Sequence, residues 1–278
     1  TARVEALDLF NAIADAARSQ LDNFTSQNLA NTAWAFATAR VEARALFNAI
    51  ADAAQPQICN FNFMDLANTA WAFATAGVHA SHVFELIATA TRAGLDEFNA
   101  QALANTAWAF ACVESKDHQF FAELMGATAT KHLNDQELSQ FYVVSLHCRL
   151  EWPTLSFPVV DSTQALQDAY RRCEARPSGL QRDIAAALDR IGWAHVVEHR
   201  MAEGLSLDMA RPDERRAVEV DGPSHYLKDA EGRCVVENGP TRFKSRLLRR
   251  LGWDVRHVPF FEWDRKSTRL NSSHTVIS

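Results

Sequence analysis

The apolar positions in the first part of the chain recur with a fixed period of 37 residues. The string Leu-Ala-Asn-Thr-Ala-Trp-Ala-Phe occurs three times, beginning at Leu29, Leu66 and Leu103. A period of about 20 to 50 residues is typical of stacked supersecondary units, each of which covers the apolar face of its neighbour. The string is apolar almost all round a helix, so we predict a buried helix in every repeat. We expect the tryptophans of the string to pack in the core: Trp34, Trp71 and Trp108.

A second helical pattern precedes each later copy of the string, at residues 43–54 and 81–93. Each repeat is therefore predicted to be a helical hairpin, and the array an α-solenoid. Thr25, Asn62 and Asn99 stand where a side-chain oxygen can cap the second helix. We expect a fourth repeat without the octapeptide, made of helices at 117–132 and 137–149. This repeat would cap the C-terminal end of the array, which would then comprise residues 1–150.

Three prolines interrupt the helical period between residues 151 and 177. We predict that these residues form a linker with one helix at 162–176, and that the chain changes from purely helical to mixed helix and strand after it. Beyond it, helices are predicted at 178–191 and 241–251. Strands are predicted at 194–200, 205–210, 217–220 and 254–259. Residues 178–264 are thus expected to form a small α/β domain, and residues 265–278 a non-native, disordered tail.

The composition limits the class of protein. No apolar run approaches the roughly 20 residues of a membrane span, so no membrane role is expected. The chain has five cysteines without a Cys-x-x-Cys pair, which favours neither a disulfide framework nor a zinc site and makes a reducing compartment the default. It begins at Thr1, so a targeting segment would lie outside this sequence.

Four motifs carry a resemblance to a known family. They are the strings VEVDGPSHY (218–226), GPTRFK (239–244), LGWDV (251–255) and VPFFEW (258–263). Together they resemble the RAP domain. The repeats are similar to octotricopeptide and heptatricopeptide arrays, which often carry such a domain at the C-terminal end. The resemblance implies an organellar protein of the mitochondrion or chloroplast that binds single-stranded RNA. It would act in transcript maturation, stability, splicing or translation, with protein partners in an RNA-processing complex.

The RAP family resembles restriction-endonuclease-like nucleases, in which carboxylates hold a divalent metal. Asp208 and Glu219, on neighbouring predicted strands, would be the metal ligands, with Mg²⁺ as the cofactor. Asp221 stands where that motif has a lysine, and His225 or Lys244 would replace it as the catalytic base. Alternatively, Glu219, Asp221 and His225 form a hydrogen-bonded turn without metal or catalysis. The missing lysine favours this non-catalytic alternative, with no cofactor.

The helix at 241–251 contains five cations and no acid over Arg242–Arg250, a composition suited to phosphates. We therefore expect RNA contacts from this helix, although a solvated face paired to neighbouring acids is the alternative. The candidate RNA-binding cations are Arg242, Lys244, Arg246, Arg249 and Arg250.

Within the array, positions that vary between repeats are better candidates for contacting bases than positions that are identical. The variable positions are Asn28, Asp65 and Ala102 before the string, and Arg40, Gly77 and Glu114 after it. The alternative is that these positions face solvent and vary without contacting RNA. The identical asparagines and threonines of the string are expected to form a hydrogen-bond ladder between helices. Residues 1–150 carry 8 Lys and Arg against 15 Asp and Glu, a net charge of 8 − 15 = −7. Because nucleic-acid binding depends on positive charge, a protein scaffold remains a third hypothesis.

Overall fold

The computed structural model describes residues 2–173 and 178–267. The chain divides into two compact units. The first takes the residues up to 174 together with 226–247, and the second takes 175–225 and the residues from 248 onward. The sequence pattern had instead placed residues 226–247 in the C-terminal domain.

The first unit is built mainly of helices. Each copy of the octapeptide lies on its own helix: α2 (Ser26–Ala39), α4 (Phe63–Thr75) or α6 (Ala100–Cys112). Helix α2 packs against α4, α4 against α6, and α6 against α8 (Asp135–Glu151). The first helix of the fourth pair ends at Gly126, earlier than predicted, and a short 3₁₀ turn follows it. The helices are α1 (Ala2–Arg18), α2 (Ser26–Ala39), α3 (Arg44–Ala54), α4 (Phe63–Thr75), α5 (Ser81–Ala93), α6 (Ala100–Cys112), α7 (His118–Gly126), α8 (Asp135–Glu151) and α9 (Thr163–Cys173).

The predicted N-caps are confirmed. Thr25 accepts a hydrogen bond from an amide in the first turn of α2, and Asn99 does the same for α6. Asn62 caps α4 in a capping box, in which the Asp65 carboxylate accepts the Asn62 amide in return. Each cap satisfies a backbone donor that has no partner within its helix, which fixes where the helix begins.

One aromatic contact recurs in each hairpin and forms its core. The phenylalanine of the octapeptide lies edge-on against a phenylalanine of the first helix, with ring centroids about 5 Å apart. The three pairs are Phe10 with Phe36 at 5.1 Å, Phe47 with Phe73 at 5.0 Å, and Phe84 with Phe110 at 5.1 Å. The octapeptide phenylalanines are buried, so these residues hold the two helices of a hairpin together.

The prediction that the tryptophans fill this core is wrong for Trp34, whose exposed fraction is 47%. Trp71 and Trp108 are only partly buried. The tryptophan precedes the phenylalanine by two residues, which places it about 200° around the helix and on the opposite side. An octapeptide that is apolar on every side does not indicate which of its two large rings faces the partner helix.

The expected hydrogen-bond ladder is also wrong in its threonine part. The hydroxyls of Thr69 and Thr106 are buried without a hydrogen-bond partner among the described residues, and the Thr32 hydroxyl donates to the Asn28 carbonyl of its own helix. Threonine hydroxyls can bond within their own turn, which competes with bonds between helices. Among the asparagines, the Asn105 Oδ1 atom accepts a hydrogen bond from Gln140 of α8 at 3.0 Å.

The first unit also contains a β-hairpin and most of a helix from the C-terminal half of the chain. The hairpin strands are β4 (Tyr226–Lys228) and β5 (Cys234–Glu237), and α11 (Gly239–Arg250) follows them. We refer to residues 226–247 as the docking segment. The sequence pattern predicted the helix but did not indicate the hairpin.

The second unit is an α/β structure with a four-stranded sheet. Its strands, in spatial order, are β1 (Val196–Arg200), β2 (Ser206–Arg211), β3 (Arg216–Asp221) and β6 (Asp254–Pro259). The first three strands are antiparallel, and β3 pairs in parallel with β6. Parallel pairing requires a long crossover connection, which residues 222–253 provide. The elements are α10 (Gly179–Arg190), β1 (Val196–Arg200), β2 (Ser206–Arg211), β3 (Arg216–Asp221), β6 (Asp254–Pro259) and α12 (Phe260–Ser267).

The apolar face of this sheet packs against α10. Val218 and Val220 of β3 share a buried cluster with Met209, Ile184 and Leu188. As predicted, the alternation in β3 sends the valines to one face and Glu219 and Asp221 to the other. Strand β3 lies between two partners, so its carboxylates are buried and do not form a solvated edge. The predicted tail begins helically, because α12 continues to Ser267, and residues 268–278 lie outside the described residues.

Candidate nucleic-acid interface

Helix α11 does not present its cations as one open face. Arg249 and Arg250 are exposed, whereas Arg242, Lys244 and Arg246 are partly buried. The apolar stripe of the helix explains the difference, since Phe243 is buried against Trp108 and His147 of the helical unit. The side of α11 next to this stripe therefore meets protein, and only the last turn keeps its arginines in solvent.

Arg246 is used inside the protein, which corrects its assignment to an open phosphate-binding face. Its guanidinium donates hydrogen bonds to the carbonyls of Ala111 and Cys112, the latter at 3.1 Å. These carbonyls end α6, where the helix macrodipole is negative and backbone acceptors lack helical partners. Arg246 also lies 3.3 Å from Glu114 and is 14% exposed. It caps α6 from a distant part of the sequence.

Arg242 occupies the space beside Gly77, just after α4. A β-carbon built on Gly77 would lie 1.4 Å from a guanidinium nitrogen of Arg242. Gly77 also has a φ of +64°, a left-handed conformation that glycine adopts without strain. One turn earlier on α11, a β-carbon on Gly239 would lie 1.8 Å from the Ala74 carbonyl oxygen. The two glycines allow α11 to approach the end of α4.

The hairpin of the docking segment meets the end of α2 through backbone hydrogen bonds. The Lys228 amide donates to the Arg40 carbonyl at 2.8 Å, and the Glu42 amide donates to the Lys228 carbonyl at 2.7 Å. An isolated parallel bridge forms between Val41 and Lys228. A signal that could have revealed this hairpin is the pair Asp229 and Gly232, two residue types that favour turns. Both lie in the loop between β4 and β5, where the Gly232 amide donates to the Asp229 carbonyl and Gly232 has a positive φ.

The variable positions after the octapeptide have a structural role that the sequence did not predict. Arg40, Gly77 and Glu114 all have left-handed backbones, with φ of 56°, 64° and 62°, and each follows an octapeptide helix. Each also contacts the docking segment. The Arg40 carbonyl accepts the Lys228 amide, the missing side chain of Gly77 leaves room for Arg242, and the Glu114 carboxylate pairs with Arg246. Gly77 and Glu114 are thus engaged by arginines of the same chain. The Arg40 side chain is exposed, and RNA contact there stays a prediction.

The variable positions before the octapeptide lie in the first turns of their helices. Asp65 is 5% exposed and its carboxylate is part of the capping box of α4, while Ala102 is fully buried. Contact of a base with either side chain is therefore contradicted by their burial. Asn28 is exposed, and its predicted contact with RNA remains open.

Asp208 and Glu219 are brought together as predicted, on β2 and β3. The Asp208 carboxylate accepts the Val220 amide at 2.7 Å, and the Glu219 carboxylate accepts the Asp208 amide at 3.2 Å. The two side chains thus continue the pairing of the strands beyond the last backbone partners, Met209 and Val218. This reciprocal bonding gives both carboxylates a structural role, and metal binding by them stays a prediction.

Asp221, which stands where the nuclease motif has a lysine, lies between two histidines. It is 1% exposed, and its oxygens lie 3.0 Å from His225 Nδ1 and 2.8 Å from His257 Nδ1. Burial alone would raise the pKa of Asp221, but hydrogen bonds from the two imidazoles lower it to about 2. The contact of Asp221 with His225 agrees with part of the predicted turn of Glu219, Asp221 and His225, whereas the Glu219 carboxylate bonds to the Asp208 amide. His257 is a further partner of Asp221 that the sequence pattern did not indicate. A catalytic role for Lys244 remains a prediction.

Two regions of the chain match known families. Residues 218–272 match the RAP domain. The C-terminal part of the chain therefore carries the RAP signature. Residues 1–138 match the family described as RNA-editing substrate-binding complex 6 protein. The RAP match begins within β3 and includes the docking segment, so the segment that contacts the helical ends is part of the RAP region.

A curated relative supports the RAP match. The chain is 25% identical over 131 residues to a protein of Oryza sativa subsp. japonica described as "RAP domain-containing protein, chloroplastic". The match covers 46% of this chain and 20% of the relative, so the chain spans about a fifth of that protein's length. Within the described ranges, no helix is both long enough and apolar enough to cross a membrane.

Proposed function

We propose that this protein binds single-stranded RNA in an organelle and acts in transcript maturation, stability, splicing or translation. The observation that carries the proposal is the presence of both family matches in one chain. The RAP match covers residues 218–272, and a family named for an RNA-editing substrate-binding complex covers 1–138. The second name also supports protein partners in an RNA-processing complex. The chloroplast stated in the relative's name supports chloroplast or mitochondrion as the location.

Two finer assignments of fold belong to the same proposal. The recurring Phe–Phe pair and the serial packing of α2, α4, α6 and α8 support an α-solenoid of the octotricopeptide or heptatricopeptide type. In the second unit, the order α10-β1-β2-β3-β6, with β3 between antiparallel β2 and parallel β6, supports a restriction-endonuclease-like core.

The test of RNA binding is fluorescence anisotropy of a labelled single-stranded RNA pool titrated with the whole chain in EDTA. We expect saturable binding that weakens as salt rises, because phosphate contacts release counterions. Absence of binding at low salt would refute the proposal and would favour the scaffold hypothesis that the net charge of −7 over residues 1–150 suggests.

One observation favours a second candidate function, a Mg²⁺-dependent RNA endonuclease guided by the repeats. The strand registers place Glu219 opposite His257, and the Asp208 and Glu219 carboxylates lie on adjacent strands of the same sheet. Clustered carboxylates could hold a divalent metal that activates water.

The test of this candidate is incubation of the labelled RNA with the chain in Mg²⁺, followed by gel analysis. The matched variant is Asp208→Asn, which removes the charge while its amide oxygen can still accept the Val220 amide. Mg²⁺-dependent cleavage that Asp208→Asn abolishes, with unchanged thermal unfolding, would favour the nuclease. If the RNA stays intact with the wild-type chain in Mg²⁺, the nuclease function is refuted.

A further inference from the structure

Cations gather at one edge of the helical unit although the array as a whole is acidic. Helices α2 and α4 both end at this edge, and α3 begins there at Arg44. Arg40 and Arg44 follow α2 and are exposed. His79 follows α4 and is also exposed; its pKa is lowered, so it contributes a neutral imidazole that can donate a hydrogen bond rather than a positive charge. The docking segment adds Lys228, which is bonded to the Arg40 backbone, and Arg242, which lies beside Gly77.

Arg44 of α3 and Arg242 of the docking segment both act on His79. The pKa of His79 is lowered, first by desolvation and then by the positive charge of Arg242, with smaller contributions from Arg246 and Arg44. Glu114 opposes this effect. Charges from α3 and α11 thus act at the same histidine, although these two helices lie far apart in the sequence.

The acids at this edge limit the extent of the positive region. Glu42 lies 3.9 Å from Arg44, a long and half-exposed pair that neutralises little of the charge. Beyond α6, Glu114 faces Arg246 and compensates it. The net positive charge therefore lies over the ends of α2 and α4 and stops before α6.

We propose that Arg40, Arg44, His79, Lys228 and Arg242 form a strip that binds the phosphodiester backbone of single-stranded RNA. The strip rests on the proposed RNA-binding function and gives it a location, shared between the repeats and the RAP region. It explains how an array with a net charge of −7 can meet a polyanion. Binding depends on local rather than total charge when the cations are on one side.

The docking segment is essential to this strip. Without it, the members of the strip left at the ends of α2 and α4 are two arginines, Arg40 and Arg44, and the imidazole of His79. Lys228 arrives through backbone pairing, and Arg242 is admitted because Gly77 has no side chain. The RAP region thus contributes to RNA binding by completing a surface on the array, and its exposed Arg249 and Arg250 are not required for the strip.

The test compares two charge reversals in the whole chain. Arg44→Glu removes a cation of the strip at the first turn of α3, where a carboxylate favours the helix. Arg18→Glu is the matched control, since Arg18 is half-exposed at the end of α1, and α2 begins after the following turn. Arg18 therefore lies at the opposite end of α2 from the strip. Circular dichroism melting verifies that both variants are folded.

The probe is a fluorescein-labelled single-stranded RNA of random sequence, about 20 nucleotides long, which exceeds the site size of common single-strand-binding folds. We expect Arg44→Glu to weaken binding by about fivefold, and Arg44→Glu with His79→Glu to weaken it further. The slope of log affinity against log salt should fall by about 0.7 for each phosphate that a variant no longer neutralises. Arg18→Glu should stay within about twofold of wild type.

Three results would overturn the strip, and they differ in what else they refute. Equal weakening by Arg44→Glu and Arg18→Glu, with RNA still bound by wild type, refutes the strip alone. No RNA binding by wild type refutes the strip and the proposed function together. Poly-glutamate that displaces RNA as well as unlabelled RNA does would assign the surface to an acidic protein partner.

Discussion

The cap that Arg246 provides for α6 gives a prediction that separates structure from RNA binding. Arg246→Met keeps an unbranched apolar side chain in place of the arginine's methylene groups but removes the guanidinium. The variant therefore lacks two hydrogen bonds to α6 carbonyls, together with the ion pair to Glu114. A hydrogen bond from a charged donor contributes about 1.5–3 kcal/mol. The half-exposed Glu114 pair adds little, about 0.5 kcal/mol.

These contributions overlap because one group makes all three interactions, so we expect Arg246→Met to lose about 3 kcal/mol of local stability. Hydrogen exchange followed by mass spectrometry measures this locally. Amides in the last turn of α6 and in α11 should exchange about 100-fold faster, since about 1.4 kcal/mol corresponds to a factor of ten.

The matched control is Arg249→Met, which removes an exposed arginine from the same helix. It should change protection by no more than about 0.5 kcal/mol. Equal effects of the two variants on α6 would refute the reasoning, because it is Arg246 that bonds to the α6 carbonyls. A loss of RNA affinity in Arg246→Met would follow from undocking of α11 and would not identify a phosphate contact.

Three further predictions test other parts of the structure. Gly239→Ala should release the docking segment, because the new methyl group would lie 1.8 Å from a backbone oxygen. Faster hydrogen exchange of the amides of residues 226–247 would show this release. The control is Gly222→Ala, whose methyl group would meet no atom within 4 Å and which should leave the exchange of these amides unchanged. Phe73→Ala should lower the free energy of unfolding, measured in urea, by about 3–5 kcal/mol, because the ring is fully buried. Trp34→Ala should lower it much less, because Trp34 is exposed. Equal losses in the two variants would refute the assignment of the phenylalanines to the core. The pKa of Asp221 falls to about 2 from 3.8, so folding favours its ionised form and this carboxylate contributes about 2 kcal/mol to the free energy of unfolding. That contribution should be complete above about pH 4 and lost as pH falls through about 2. Asp221→Asn should reduce the pH dependence of the unfolding free energy over this range, and an unchanged pH dependence would contradict the histidine contacts.

The sequence was informative where a residue acts on its own neighbourhood. The caps at Thr25, Asn62 and Asn99 depend on amides two or three residues away, and all three were predicted correctly. The β3 alternation is equally local, and it placed the valines and the acidic residues on opposite faces. These features follow from backbone geometry and short-range bonding, which a single sequence displays directly.

The sequence was misleading where the partner is distant. The arginines of α11 have the composition of a phosphate-binding helix, but Arg246 bonds to carbonyls 134 and 135 residues away. Nothing near Arg246 in the sequence indicates those acceptors, because every helix end offers backbone carbonyls regardless of its residues. The same limitation applies to Trp34, since apolarity all round a helix does not say which side meets a neighbour.

The left-handed residues after α2, α4 and α6 limit how this array could be rearranged. The three octapeptides are identical, so exchanging the order of the repeats would leave the Phe–Phe core of each hairpin unchanged. It would, however, move Arg40, Gly77 and Glu114 relative to the docking segment. Arg242 would then meet a side chain, and Arg246 would lose its carboxylate. Any repeat could thus supply the same hairpin core, but each repeat makes its own contact with the docking segment. The order of the repeats is therefore fixed by the residue that follows each octapeptide helix.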